Sequence, residues 1–296
     1  MRDPGDVRAD ADSLGSVEHL RWHHRPQLDR PVVVAAFEGW NDAGDAASSA
    51  VRWFADRWDA SPFADVDPEV FFDFTSTRPE VRIEDDARVI DWPSNEFSAA
   101  TLPGSGRDLI LLQGVEPQLR WRTFADLVIE VARTFDASMV VTLGALLAEV
   151  PHSRPVNVAG TAYDDGVVTR LGLAPSQYQG PTGIVGVLHD RCRTAGLESA
   201  SLWATVPTYV PGAPSPKATL ALVEKTAELL GEGVLTTDLE IAAASYERQI
   251  NELVDDDEET QAYVAALEQR HDEEADRTPT GDLVEEVERF LREHGD

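Results

Sequence analysis

Four apolar runs separated by amphipathic stretches constrain this chain more than any other feature. They are "RPVVVAAFEG" (30–39), "RDLILLQG" (107–114), "SMVVTLGALLAEV" (138–150) and "SASLWATVPTYV" (199–210). Strands covered by helices on both faces read in this continuous way, whereas half-buried strands alternate. Between the runs, apolar residues recur at helical spacing: Ala43, Ala46, Ala47, Ala50, Val51, Phe54 and Trp58, then Trp121, Phe124, Leu127, Val128, Val131 and Phe135. "SQYQGPTGIVGVLHDRCRTAG" predicts a helix that begins near Pro181 or Thr182 and stops at Gly196, and "SPKATLALVEKTAELLG" one that runs from Ser215-Pro216 to Gly231. The alternation predicts an α/β domain with a mostly parallel sheet. "EVFFDF" (69–74) and "VNVAGTAY" (156–163) predict further strands, and "EVRIEDDARVIDW" (80–92) a hairpin about Asp85–Asp86. The chain divides into a flexible tail and linking segment (1–30), the α/β domain (31–235) and an acidic helical extension (236–296). In the extension, Tyr246, Ile250, Leu253, Tyr263, Val264 and Leu267 form an apolar stripe that needs a surface to cover.

The first strand-to-helix passage has the G-x-x-x-x-G spacing of a phosphate loop, from Gly39 to Gly44. Such a loop continues with Lys and Ser or Thr, which neutralise phosphate and hold magnesium. Here Asp45 and Ala46 follow. The expectation is instead a turn in which Asp42 caps the helix, with Asp45 three residues on as a capping-box-like partner.

A formal charge of −29 over 296 residues argues against nucleic acid and anionic membrane as partners, since both require basic patches. Residues 250–296 alone hold 17 acids against 4 bases, which predicts solvated helix faces. No D-x-D-x-D-G loop and no Cys/His set of zinc spacing is present, so no metal and no cofactor is expected; His23-His24 lacks further ligands. A lone cysteine, Cys192, excludes an internal disulfide and points to a reducing, cytoplasmic setting. It shares a helical stripe with Val185 and Leu188, so a core thiol is expected rather than a nucleophile.

Ligands in open α/β sheets gather at the carboxyl ends of strands. Four loops meet that description: "EGWNDAG", "QGVEPQLRW", "GALLAEVPHSRP" and "YQGPTGI". They supply Glu38, Trp40, Asn41, Asp42, Glu116, Arg120, His152, Arg154, Tyr178 and Thr182 as the candidate pocket or interface. A carboxylate, a histidine and an arginine in one crevice could do acid–base work. The structural alternative is that His152 hydrogen-bonds its own loop and Arg154 pairs with Glu149 or Glu116. Ser153 beside His152 makes no triad, because neighbours in sequence rarely present the required geometry.

"FEGWNDAG", "GVEPQLRWRTF", "LGALLAEVPHSRPV", "SQYQGPTGI", "SLWATVPTYV" and "PSPKATLAL" occur in the order found in the actinobacterial branch of the proteasome assembly chaperone 2 family. The resemblance covers 31–291, with "PTGDLVEEVERFLRE" similar to the family's C-terminal pattern. It implies a three-layer αβα fold like that of nucleoside phosphorylases and peptidyl-tRNA hydrolases, with appended C-terminal helices. It also implies a homo-oligomer, with a trimer as the candidate stoichiometry, and a proteasome-related or other protein partner. Some relatives dock between ring subunits through a hydrophobic–tyrosine–any-residue tail; this chain ends "LREHGD". The expectation is a non-catalytic protein-binding oligomer, leaning away from an enzyme. The alternative is a hydrolase or phosphorylase-like enzyme that takes a small anionic or peptide ligand in the crevice of Asn41, Glu116, His152 and Arg154.

Overall fold

The four apolar runs are the centre of a sheet. In the computed structural model, which describes residues 17–176 and 179–275, they form β2 (Val32–Glu38), β7 (Asp108–Val115), β8 (Met139–Ala148) and β11 (Ser199–Pro207). β2 lies between β7 and β8, parallel to both, and β8 pairs in parallel with β11. Successive side chains of a strand point to opposite faces. Along β2, Val33, Ala35 and Phe37 therefore enter one core while Val32, Val34 and Ala36 enter the other.

The first core is closed by α3 (Trp121–Thr134) and α5 (Ile184–Ala195), which contribute Phe124, Val128 and Leu188. The second is closed by α1 (Ala46–Arg57) and α6 (Pro216–Leu230), through Val51, Phe54, Leu222 and Val223. Each such side chain stabilises the fold by about 1.5–3 kcal/mol on burial. Helices on both faces make the molecule a three-layer αβα sandwich, as expected.

The flanks differ from the expectation. β1 (Leu20–Trp22), β3 (Ser61–Val66) and β6 (Asn95–Thr101) add antiparallel pairs beside β7, and β9 (Val158–Ala162) runs antiparallel to β11. β10 (Ala174–Pro175) closes the far edge parallel to β9. Among the described residues the sheet has nine strands in the order β1-β3-β6-β7-β2-β8-β11-β9-β10. It is parallel at its centre and mixed overall. The reason is chain length: a parallel return needs a crossover of a dozen or more residues, and the β6–β7 link is only a short loop at 102–107.

"EVFFDF" is corrected from strand to a short helix, α2 (Pro68–Phe71), followed by extended backbone at Phe72. Asp67 accepts the Glu69 N–H at 3.1 Å and Pro68 occupies the first helical position, a start signal that overrides the β propensity of the phenylalanines. A second helix absent from the expectation, α4 (Asp165–Leu171), is capped by Asp164 on the Val167 N–H at 3.0 Å. The hairpin β4 (Glu80–Glu84) and β5 (Ala87–Asp91) forms as expected, as a separate two-stranded sheet. Asp85 and Asp86 both take positive φ, 48° and 63°, which suits a two-residue turn with right-handed strand twist.

After α6 come α7 (Thr237–Asp255) and α8 (Glu258–Ala275). Tyr246, Ile250, Val254 and Val264 form a small core against Tyr209 and Val210, beyond the end of β11. Leu253, expected on the buried stripe, is exposed, and Val254 takes its place. None of the helices among the described residues is long and apolar enough to cross a membrane.

Candidate functional site

The carboxyl ends of β2 and β7 converge on one carboxylate. Gly39, at φ 125°, turns the chain out of β2, and the Glu116 N–H still pairs with the Glu38 carbonyl at 2.9 Å. Asn41 is buried, and its carbonyl accepts the Ala145 N–H of β8 at 2.8 Å. The Glu116 carboxylate accepts the Ile184 N–H at the start of α5 at 2.8 Å, the Trp40 N–H, and the Asn41 Nδ2–H at 3.3 Å. Gly183 permits this approach: a Cβ there would lie 2.6 Å from both Asn41 Nδ2 and Glu116 Oε1.

A second carboxylate serves α1. Asp42 Oδ1 accepts from the Ala47 N–H at 2.7 Å and the Ser48 N–H at 3.1 Å, so the expected cap by Asp42 is present. The capping box with Asp45 is not. A 3-10 turn, Ala43–Asp45, intervenes, and Asp45 sits at φ 51° with its side chain capping nothing. Among the described residues, Asp42 Oδ2 is buried without a hydrogen-bond partner. Burial pushes both acids, Glu116 and Asp42, above the ordinary carboxylate range, and the donated N–H bonds offset that only in part. The amino ends of α1 and α5 are thus each filled by a carboxylate of the chain itself, at the place where a parallel α/β sheet ordinarily receives anions.

His152 and Arg154 belong to a different group. His152 is buried in the loop after β8; its Nδ1 lies 2.7 Å from the Tyr209 hydroxyl and its Nε2 2.9 Å from Asn251 Oδ1 on α7. Its own N–H donates to the same Tyr209 oxygen at 2.8 Å. Its carbonyl accepts Lys217 Nζ at 2.5 Å, and that lysine also pairs with Glu247 of α7 at 2.6 Å. Arg154 makes a two-pronged pair with Asp272 of α8, both bonds at 2.8 Å, and Ser153 donates to Glu268. The rings of His152, Tyr209 and Tyr263 stack edge to face in sequence, with centroids 5.9 Å apart at each step. This loop is the seat of the C-terminal helices. Burial pushes the Tyr209 phenol up to about 12, so it stays a neutral hydrogen-bonding group.

The ten residues expected to gather at the strand ends therefore divide. Asn41, Asp42, Glu116 and Trp40 surround the starts of α1 and α5, whereas His152 and Arg154 hold α7 and α8. The expected partners of Arg154, Glu149 and Glu116, are corrected: Glu149 pairs with Arg270 at 3.0 Å, and Arg154 with Asp272 and Glu268. Glu38 is exposed and pairs with Arg52 at 3.2 Å. Trp40 is 37% exposed over the Glu116 group. Arg120 precedes α3 in a left-handed conformation, φ 51°, and Thr182 is exposed before α5. Tyr178 lies outside the described residues. Tyr209, Lys217, Asn251 and Asp272 complete this group without a signal in the sequence: "TVPTYV" reads as strand, and no spacing rule links Arg154 to a residue on α8.

Cys192 is buried, as expected, and burial pushes its thiol up to about 12. Beside it His189, buried and pushed down by that burial to about 4, bridges Thr142 and Ser199 at 2.9 Å each. A neutral imidazole that satisfies two hydroxyls across α5, β8 and β11 is a core fastening. Among the described residues no group of three or more His, Cys, Asp or Glu side chains is arranged to hold a metal ion.

The PAC2 family model matches residues 36–254. A PAC2 family protein from Streptomyces avermitilis is 42% identical, covers 79% of this chain and 99% of its own, and superposes with a TM-score of 0.75. A proteasome-assembly chaperone homologue from Mycobacterium tuberculosis is 45% identical over 79% of this chain and 99% of its own, with a TM-score of 0.72. An archaeal proteasome activator from Pyrococcus furiosus shares the fold at 17% identity, with a TM-score of 0.66 over 79% of this chain and 97% of its own. None of the curated proteins matches the chain.

Proposed function

The chain belongs to the PAC2 family, and from that premise we propose that it is a protein-binding assembly factor of the chaperone type, working without covalent chemistry at the strand ends. The observation that carries this reading is the bonding of Glu116 and Asp42. The helix amino ends that would hold an anionic substrate or a developing oxyanion are already satisfied by the chain's own carboxylates. An incoming phosphate or carboxylate would meet like charge there. The hydrolase or phosphorylase-like alternative needs His152 and Arg154 free to face a ligand, yet both are bonded to α7 and α8.

In this reading the chain acts in the cytoplasm as a homo-oligomer, a trimer being the stoichiometry proposed. Its layers are of the phosphorylase and peptidyl-hydrolase kind. Proteasome subunits are the partners suggested by what its relatives are called. The test is native mass spectrometry of the full chain mixed with the separately purified α and β proteasome subunits of its own cell. A defined complex with unassembled subunits is the expected result. Turnover in a screen of esters, nucleosides and dipeptides, abolished in a folded Glu116→Gln variant, would overturn the reading.

A further inference from the structure

Trp40 and Leu119 stand exposed, at 37% and 44%, where β2 and β7 run out. Their loops leave the sheet side by side: Glu38 pairs with Val115 in the register, and Glu116, three residues before Leu119, accepts the Trp40 N–H. The Trp40 ring lies over the start of α5, where a Cβ on Gly183 would come within 3.3 Å of its Cε3. Next to Leu119, the start of α3 brings Arg120 and Arg122, both exposed and neither in an ion pair among the described residues. No side chain caps this turn, and no acid lies in it. Cations at the positive end of a helix are unfavourable as they stand, so this surface favours an acidic neighbour. The acids bonded around it are engaged elsewhere: Glu38 with Arg52, Asp73 with Thr75, and Glu116 with the start of α5.

We propose that residues 282–291 of this same chain, which lie outside the described residues, cover this surface. Their composition fits it. Leu283, Val284, Val287, Phe290 and Leu291 recur at helical spacing, and Asp282, Glu285, Glu286 and Glu288 stand among them ahead of the first base, Arg289. The segment thus brings apolar side chains to Trp40 and Leu119, and carboxylates to Arg120, Arg122 and the uncapped first turn of α3. Its tether also starts at the right end of the sheet. Asp272, three residues before the end of α8, is held by Arg154 in the loop that follows β8. β8, β2 and β7 are neighbours about 5 Å apart, and residues 276–281 reach up to about 20 Å. A tether that short holds the segment at an effective concentration on the order of millimolar. A second copy, at net −29, must approach against like charge. The contact is autoinhibitory, since any partner that reads Trp40 and Leu119 has first to displace it. The inference goes beyond the protein-binding function above and does not depend on it.

The test uses the full chain carrying Leu119→Cys and Phe290→Cys, with Ile83→Cys and Phe290→Cys as the control pair on an exposed site outside the surface. Cys192 is buried and stays silent. Dilute protein is oxidised with a copper–phenanthroline catalyst, quenched at intervals, and read by non-reducing electrophoresis and peptide mass mapping. The expected result is a disulfide between positions 119 and 290 of one chain, formed about tenfold or more faster than that between 83 and 290. Adding Arg120→Glu and Arg122→Glu should remove this advantage, and adding Glu285→Arg and Glu286→Arg as well should restore it. Glutamate suits the amino end of α3, so the first of these variants folds, which the melting curve verifies for all of them. Equal rates for the two cysteine pairs overturn the proposal. So does a disulfide that joins positions 119 and 290 of two chains, which would make the surface a contact between copies, and so does charge reversal that leaves the rate unchanged. None of these outcomes touches the mass spectrometry of subunit binding, so the two readings fail separately.

Discussion

The Glu116 carboxylate accepts the Ile184 N–H at 2.8 Å, joining the end of β7 to the start of α5 across 68 residues of sequence. The bond fixes where α5 begins and draws Gly183 against Asn41. It also sets a pH dependence. Burial holds Glu116 above its ordinary value of 4.5, so the folded chain binds this proton more tightly than the unfolded chain. Stability therefore falls as pH rises from that ordinary value through the raised one. Glu116→Gln keeps an acceptor for Ile184 and cannot ionise. Urea unfolding across this range should show the stability of E116Q gaining on that of the native chain as pH rises. Parallel curves would show that Glu116 titrates alike in both states.

Replacement of His152 by alanine removes one of two bonds from the Tyr209 hydroxyl, which keeps the backbone N–H of residue 152, and one from the exposed Asn251 amide, about 0.5–1.5 kcal/mol for each bond lost. His152→Ala should lower the midpoint of unfolding and speed hydrogen exchange first in α7, whose anchor it removes. Unchanged stability would mean that the histidine is held for some purpose other than fastening.

The centre of this architecture could be read from the chain and the edges could not. β2, β7, β8 and β11 are long apolar runs with no competing pattern, and α1, α3, α5 and α6 carry a single apolar face each. β3 ("SPFADV") and β6 ("NEFSAAT") lack β-branched runs, because their places in the sheet come from pairing rather than local preference. The four strand-end loops stand out in the sequence, but their division into two groups does not. Arg154 and Asp272 are 118 residues apart, and nothing local to either announces the other.

Arg154 also makes α8 sensitive to acid. Its hydrogen bonds hold Asp272 below the ordinary carboxylate range, so this contribution is present above the unfolded value and is lost as pH falls through the folded one. The pair is partly exposed and will be screened by salt. Protection of α8, taken relative to the intrinsic exchange rate at each pH, should fall on acidification and at high salt. Arg154→Ala should exchange quickly under all these conditions, and an α8 that ignores both acid and the substitution would place its anchor elsewhere.

Cys192 should be inert while the chain is folded. Its thiol is buried and pushed up to about 12, so almost no thiolate exists at neutral pH. Reaction with a disulfide reagent should track unfolding, slowed on the order of 10³-fold or more relative to free cysteine. Rapid labelling of the native chain would show that α5 opens locally.

The last expectation follows from the filled amino end of α5. In the native chain Glu116 occupies it, so sulfate should stabilise no more than chloride at matched ionic strength, and ATP with magnesium should show no micromolar binding. Glu116→Ala removes the carboxylate but leaves the Ile184 and Trp40 N–H groups facing the vacated position, beside the Asn41 amide. An anion that binds only the folded variant raises its stability by RT ln(1 + [L]/Kd), about 1.4 kcal/mol at ten times Kd. The alanine variant should therefore start less stable than the native chain and recover part of the loss as sulfate is added in the millimolar range. Glu116→Gln, whose amide oxygen still fills the place, should not respond. If E116A ignores sulfate while E116Q and the native chain behave as described, the amino end of α5 is not an anion site in waiting, and the argument that Glu116 stands in for one must be given up.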